Sequence, residues 1–328
     1  MSQPHKRSRN LHNTNTQRDM KLKSKYKNLL LITFLFITAA VPLRPVHAQA
    51  TDPEGFHILK KGSSMKFFRY RPGAPVIISG HRGGREKGYP ENSLEGFRNV
   101  LRQMPAFFEI DPRLTRDSVI VLMHDATLDR TTTAKGNLND YTYEQLRDVR
   151  LRDFAGNPTA FSIPTLEEVI VWSRGRTVVN LDRKDVPPEM IVDLVKRLRA
   201  SGHVMLTVHN GAQAKYYHEN LPKAMLSAFV RTMKEYENIA SSGVPWKKMI
   251  AYVGPAITSE NAELVRLLHS RGVRCMISVA PTHDRLQERE ERRKGYLQEL
   301  ASNPDIIETD LPLEVWNVMK ENRPAVDE

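Results

Sequence analysis

Short apolar runs and segments of helical period alternate along this chain from about residue 75 to its end. The runs are PVIISG (75–80), FFEID (107–111), VIVLMHD (119–125), TVVNLD (177–182), VMLTVH (204–209), MLSAFV (225–230), MIAYV (249–253), VRCMISV (273–279) and DIIETD (305–310). Between them lie segments such as PTLEEVIVWSRG, PPEMIVDLVKRLRASG and SENAELVRLLHSRG, with apolar residues at helical spacing and Ser-Gly or Ser-Arg-Gly at their ends. Continuous apolar strands that alternate with helices predict a parallel sheet covered on both faces. Nine strands suit a (β/α)8 TIM barrel with one surplus hairpin or edge strand, and a doubly wound open sheet is the competing architecture. The pattern does not say which of the nine is surplus. No Gly/Ser- or Pro-rich linker divides the region, so residues 75–320 are expected to form one domain, with 51–74 as a lead-in and 321–328 as a tail.

Composition changes this picture only at the N-terminus. The 328 residues are 40% hydrophobic, enough for a packed core, and carry a net charge of +11 with a pI near 9.7. Residues 1–28 hold eight Lys or Arg against one Asp19, followed by the apolar stretch LLLITFLFITAAV (29–41) and by small residues at Ala48 and Ala50. A basic segment, a short apolar segment and an A-x-A site predict a secretory signal over 1–50, with Met20 as an alternative start; thirteen apolar residues are short for a membrane span. Removal of 1–50 takes nine basic and one acidic residue and leaves about +3, which takes away the case for nucleic-acid binding. Cys275 is the single cysteine, so no intramolecular disulfide forms and no cysteine follows the signal to carry a lipid. The expected product is exported, periplasmic or secreted, without a stable membrane anchor; its oligomeric state is unreadable.

In parallel α/β folds chemistry collects at the carboxyl ends of strands. The first run ends in His81-Arg82, the second in Glu109-x-Asp111, the third in His124-Asp125, the fourth in Asp182-x-Lys184. Residues two apart on a strand share a face, so Glu109 and Asp111 point one way, as do Asp182 and Lys184. Glu109, Asp111 and Asp182 offer oxygen ligands for one hard divalent cation, Ca2+ or Mg2+. His81 and His124 can act as general base and general acid near neutral pH, and Arg82 and Lys184 suit an anionic phosphate. Asp310 reads as a cap of the turn that follows it; Asp125 is open to the same reading. Gly83 and Gly84 allow a tight turn close to a ligand, and Asn92 or Ser93 is expected near the N-cap of the next helix. Together these groups suit metal-assisted displacement at a phosphodiester.

The motifs HRGGREKGYPENS, EIDPRLTRDSVIVLMHDATLDRTT, IPTLEEVI and VNLDRK resemble the glycerophosphodiester phosphodiesterase family, densely over about 75–185 and thinly as far as DIIETDLP. The resemblance implies a (β/α)8 barrel with a short insertion, one divalent metal on Glu109, Asp111 and Asp182, and a catalytic pair at His81 and His124. It implies phosphate contacts from Arg82 and Lys184, with Glu91 and Asn92 nearby and Asn92 within reach of metal or phosphate. The implied substrate is a small glycerophosphodiester, cleaved to glycerol 3-phosphate and an alcohol such as choline or ethanolamine. Two positions depart from the family pattern. Asp182 stands where a Glu is usual, which bears on calcium against magnesium. The late run RCMISV lacks the tryptophan that shapes the family's substrate pocket, which leaves the glycerol subsite open. Which histidine is acid and which base, and whether water or the glycerol 2-hydroxyl attacks, also stays open. The alternatives are a phosphodiesterase of the same barrel acting on phospholipids or phosphoinositides, and a catalytically inactive ligand-binding relative.

Overall fold

The structure, a computed structural model, describes residues 55–59 and 64–322; the expected signal over 1–50 and most of the tail lie outside them. Eight strands form a closed parallel barrel: β1 (Ile77–Gly80), β2 (Phe107–Ile110), β7 (Val179–Leu181), β8 (Val204–Val208), β9 (Met225–Phe229), β10 (Met249–Gly254), β11 (Cys275–Ser278) and β12 (Ile306–Thr309). β1 closes the ring by pairing with β12 on one side and β2 on the other. The open sheet is therefore excluded. The helices that follow barrel strands include α2 (Leu94–Gln103), α3 (Leu166–Ser173), α4 (Pro188–Arg197), α5 (Gly211–Asn220), α6 (Met233–Ala240), α7 (Ala262–Ser270), α8 (Arg289–Ala301) and α9 (Pro312–Glu321), while α1 (Ser64–Phe67) precedes the barrel.

The surplus run is the third. Between β2 and β7 the chain leaves the barrel for an insertion with two antiparallel hairpins, β3 (Pro112–Leu114) with β4 (Ile120–Leu122), and β5 (Arg150–Arg152) with β6 (Pro158–Ser162). Val121, Leu128, Leu138, Leu146, Leu151 and Ile163 give this insertion its own small core. It stands on the barrel through α3, whose first turn is locked by a capping box between Thr165 and Glu168.

Two layers of apolar residues build the barrel. Outward residues such as Ile78, Phe108, Leu181 and Leu206 meet the helices in the main core. Inward residues form a separate cluster that includes Phe107, Met205, Met225, Ile250, Met276 and Ile306, with Phe68 of the lead-in beneath it; the Phe68 and Phe107 rings meet edge to face at 5.0 Å. Two residues further along, the inward positions turn polar: Ser79, Glu109, Thr207, Ser227, Ser278 and Glu308. The barrel is therefore apolar at its amino end and polar at its carboxyl end, and period-two geometry carries that change around the ring.

Candidate active site

Glu109, Asp111 and Asp182 come together at the carboxyl end of β2 and β7, each with a carboxylate oxygen within 4.8 Å of the others. Glu109 and Asp111 are buried and Asp182 is partly exposed. Burial, then the neighbouring Asp111, pushes the Glu109 pKa well above the usual carboxylate range. Lys184 lies against the pair, its Nζ 2.6 Å from Asp182 and 2.8 Å from Asp111. Burial raises the Asp182 pKa, but His209 and Lys184 outweigh it and hold it down to about 2. The Asp111 Oδ1 atom is buried and receives no well-aligned hydrogen bond, the ammonium being close but off its acceptor direction. Three crowded carboxylates, one with a free acceptor, suit a hard divalent cation.

Asn92 lies against Asp111. Its Nδ2 donates to Asp111 Oδ2 at 2.7 Å, and the Asp111 amide donates back to its Oδ1 at 3.1 Å. Both ends of the amide serve Asp111, so Asn92 orients a carboxylate. This clamp needs a left-handed backbone: Asn92 and Arg82 each have φ near 54°, and the Asn92 amide donates to the Arg82 carbonyl at 2.7 Å. Ser93 then caps α2 through the Gly96 amide. Gly83, at φ 91°, turns beneath Phe97; a Cβ there would lie 2.5 Å from that ring.

Arg82 donates its amide to Glu109 and its guanidinium to Glu91 at 3.3 Å. Glu91 also takes two 2.8 Å bonds from Arg130. Although burial raises its pKa, these arginines bring it below the ordinary carboxylate value. Glu91 thus links the barrel to the insertion.

Each histidine is held through Nδ1 by an acid. His81 bonds Asp310 Oδ1 at 2.7 Å, and its Nε2 lies 3.8 Å from Glu109. Burial opposes charging this ring, but Asp310, Glu109 and Glu308 prevail and raise its pKa to about 9. Asp310 is therefore not the simple turn cap of the sequence reading; it orients His81 and pairs with Arg85 at 2.9 Å. His124 does not stand on a barrel strand. It follows the β4 hairpin, with Asp125 at 2.8 Å, and Arg130 grips Asp125 at 2.7 Å. Arg130, first among the causes, holds the Asp125 pKa below the carboxylate range.

Three further residues lie beside these groups and are not among those expected there from sequence. Arg130 lies inside the quoted LDRTT motif but was given no role. His209, after β8, approaches Asp182 at 3.6 Å and packs on Phe229 with ring centroids 4.4 Å apart. Glu308 lies inside the barrel two residues before Asp310, and burial raises its pKa. The period-two pattern that picked out Glu109 and Asp111 points equally to Glu308 and Asp310.

With this geometry in hand, relatives can be weighed. Residues 81–277 match the model of the Glycerophosphoryl diester phosphodiesterase family. The chain belongs to that family. A solved glycerophosphoryl diester phosphodiesterase from Parabacteroides distasonis is 48% identical, with a TM-score of 0.78 over 80% of this chain and 93% of that one. A glycerophosphodiester phosphodiesterase from Bacillus altitudinis is 28% identical over 203 residues, 59% of this chain and 81% of its own length. A phosphodiesterase from Oleispira antarctica, solved with its product sn-glycerol-3-phosphate, is 18% identical with a TM-score of 0.56 over 74% of this chain and 96% of that one, a likeness of fold.

Two other features lie at the amino end of the barrel. His269, Cys275 and Asp305 are close enough to hold an ion, but Asp305 Oδ2 already accepts from the Cys275 amide at 2.8 Å and meets His269 at 2.7 Å. Burial pushes the Cys275 thiol far up, so the trio works as a structural clasp. A cavity of about 650 Å3 lined by Phe56, Phe67, Pro75 and Trp316 touches none of the site residues.

Proposed function

We propose that this protein hydrolyses glycerophosphodiesters to glycerol 3-phosphate and an alcohol, using one divalent cation, Ca2+ or Mg2+, and the pair His81 and His124. The observation that carries this reading is the meeting of Glu109, Asp111 and Asp182 within the span of one ion, beside His81. A cation held there supplies Lewis-acid stabilisation of charge on the phosphate. Arg82 and Lys184 are the residues placed to add positive charge as the pentacovalent transition state forms. Asp310 and Asp125 fix the tautomer and orientation of the two rings and leave Nε2 for proton transfer to and from substrate. Asn92 keeps Asp111 turned toward its neighbours, and Glu91 holds the outer end of the Arg82 guanidinium, whose Nε lies 3.7 Å from Asp111.

Family membership supports the phosphodiesterase chemistry, and the product named for the Oleispira antarctica protein agrees with the substrate class. The basic and apolar N-terminal segments support export, which N-terminal sequencing of the secreted or periplasmic product checks. The functional test is release of glycerol 3-phosphate from glycerophosphocholine and glycerophosphoethanolamine. Turnover should stop with chelator and return with added Ca2+ or Mg2+. Turnover indifferent to chelator, or absent on both substrates, contradicts the reading.

A further inference from the structure

Tyr252, Ser278 and Glu308 stand on the adjacent strands β10, β11 and β12, beside the carboxylate cluster and the histidine pair but outside both. Each follows by two residues an apolar member of the inward cluster, Ile250, Met276 or Ile306, so each points into the barrel. Glu308 is in register with Ser79 on one side and Ser278 on the other. The Ser79 hydroxyl donates to its carboxylate at 3.5 Å, and Ser278 stands beside it on the paired strand. Ser79, the partner of Glu308 in register, lies two residues before His81, which sets Glu308 beside the reacting centre.

A carboxylate is costly in such a place, and a barrel that needed only packing would fill the position with another aliphatic side chain. Glu308 and Tyr252 nevertheless keep partial exposure inside the ring. A carboxylate has about four acceptor directions, and two flanking serine hydroxyls can fill only part of that capacity. Tyr252 and Ser278 each add a hydroxyl that can donate or accept. The late strand lacks the tryptophan expected of the family, but Phe229 and Tyr252, with centroids 4.8 Å apart, supply aromatic surface from the neighbouring strands.

We propose that Tyr252, Ser278 and Glu308 form the subsite for a vicinal diol, the glycerol end of the substrate, with Glu308 as its specificity-determining acceptor. This rests on the glycerophosphodiester reading above and deepens it. Two hydroxyls on neighbouring carbons match a carboxylate flanked by hydroxyl groups, and the aromatic surface packs against the carbon skeleton. A cationic head group is the rival occupant, since aromatics with a carboxylate also suit ammonium. The Phe229 ring is already covered by Arg231, whose guanidinium carbon is 5.5 Å from its centroid, which disfavours a second cation there.

The test compares wild type, Glu308→Gln and Tyr252→Phe on glycerophosphocholine, glycerophosphoethanolamine and ethyl phosphocholine, which keeps the head group but has no diol. Folding is checked by Tm, and binding of sn-glycerol 3-phosphate and of ethyl phosphate is measured by calorimetry. Any effect of Glu308→Gln through His81 is common to all three substrates, so the readout is the ratio: kcat/KM on each glycerol substrate relative to ethyl phosphocholine should fall about 10- to 100-fold, the range expected for hydrogen bonds to a charged acceptor. Its affinity for sn-glycerol 3-phosphate should fall in parallel, with ethyl phosphate unaffected. Tyr252→Phe should show the same pattern, weaker. Equal losses on all three substrates, losses that follow choline in place of the diol, or no loss at all would each overturn the proposal. Should wild type hydrolyse neither glycerophosphodiester, the activity reading falls, and the binding comparison still decides the subsite.

Discussion

His81 and His124 make the same bond to an acid, yet they stand on different scaffolds. His81 caps a barrel strand, and its partner Asp310 ends the neighbouring strand with a side chain only 3% exposed. His124 hangs from an insertion with a separate small core, and its partner Asp125 is 28% exposed. The barrel half is fixed by strand register and burial, so its electrostatics act with little screening. The insertion half is fixed by Arg130, which bridges Asp125 to Glu91, and those contacts are open to water and salt. The difference teaches that one half of the proposed acid–base pair is built into the barrel, while the other is brought to it by an inserted segment with its own core.

The largest effects come from the rings themselves. His81→Ala and His124→Ala should each lower kcat by about 10²–10⁴, measured on glycerophosphocholine. Near-native turnover in either removes that residue from the pair. Next come the orienting acids, where the two halves should separate. Asp310→Asn should cost roughly 10²-fold in kcat because the imidazole loses a buried tautomer partner, and Asp125→Asn about 10-fold, with greater sensitivity to added salt. Equal losses would mean that scaffold and burial do not distinguish the halves.

A pH experiment sharpens the contrast in stability. With His81 at about 9 against an ordinary 6.5, the folded state holds the proton more tightly. The His81–Asp310 contribution is therefore full below about pH 6.5 and is lost as pH rises through about 9. In chelator-treated protein, the Tm difference between wild type and Asp310→Asn should shrink over that window. A difference that grows with pH contradicts the assignment. The smallest effect concerns the α2 cap that follows Asn92. Ser93→Ala should cost about 1 kcal/mol in chemical denaturation. A loss of kcat much larger than that energy explains would show that the cap also holds the Asn92–Asp111 clamp.

The same contrast explains how far the chain could be read from its letters. The barrel was legible because its strands are continuous apolar runs and its chemistry sits at their ends: His81, Glu109, Asp111, Asp182 and Lys184 all fall where strand-end logic placed them. The run VIVLMHD has the same apolar character, and nothing in its period marks it as the hairpin strand β4; only pairing with β3 does so. Asp310 looked like a turn cap because its partner His81 is 229 residues away, and long-range pairing leaves no local signal. Asn92 was legible as a site residue, but its partner depends on a left-handed backbone that spacing does not reveal. Glu308 is within reach of the same period-two logic, two residues before Asp310 on the inward face of its run.

The account stands on the claim that Glu109, Asp111 and Asp182 share one divalent ion. Calorimetric titration of chelator-stripped protein with Mg2+ and Ca2+ tests it directly. Wild type should bind one ion, Asp111→Asn should bind far more weakly, and recovered turnover should follow ion occupancy. Absence of stoichiometric binding in wild type, or full binding by Asp111→Asn, would contradict it.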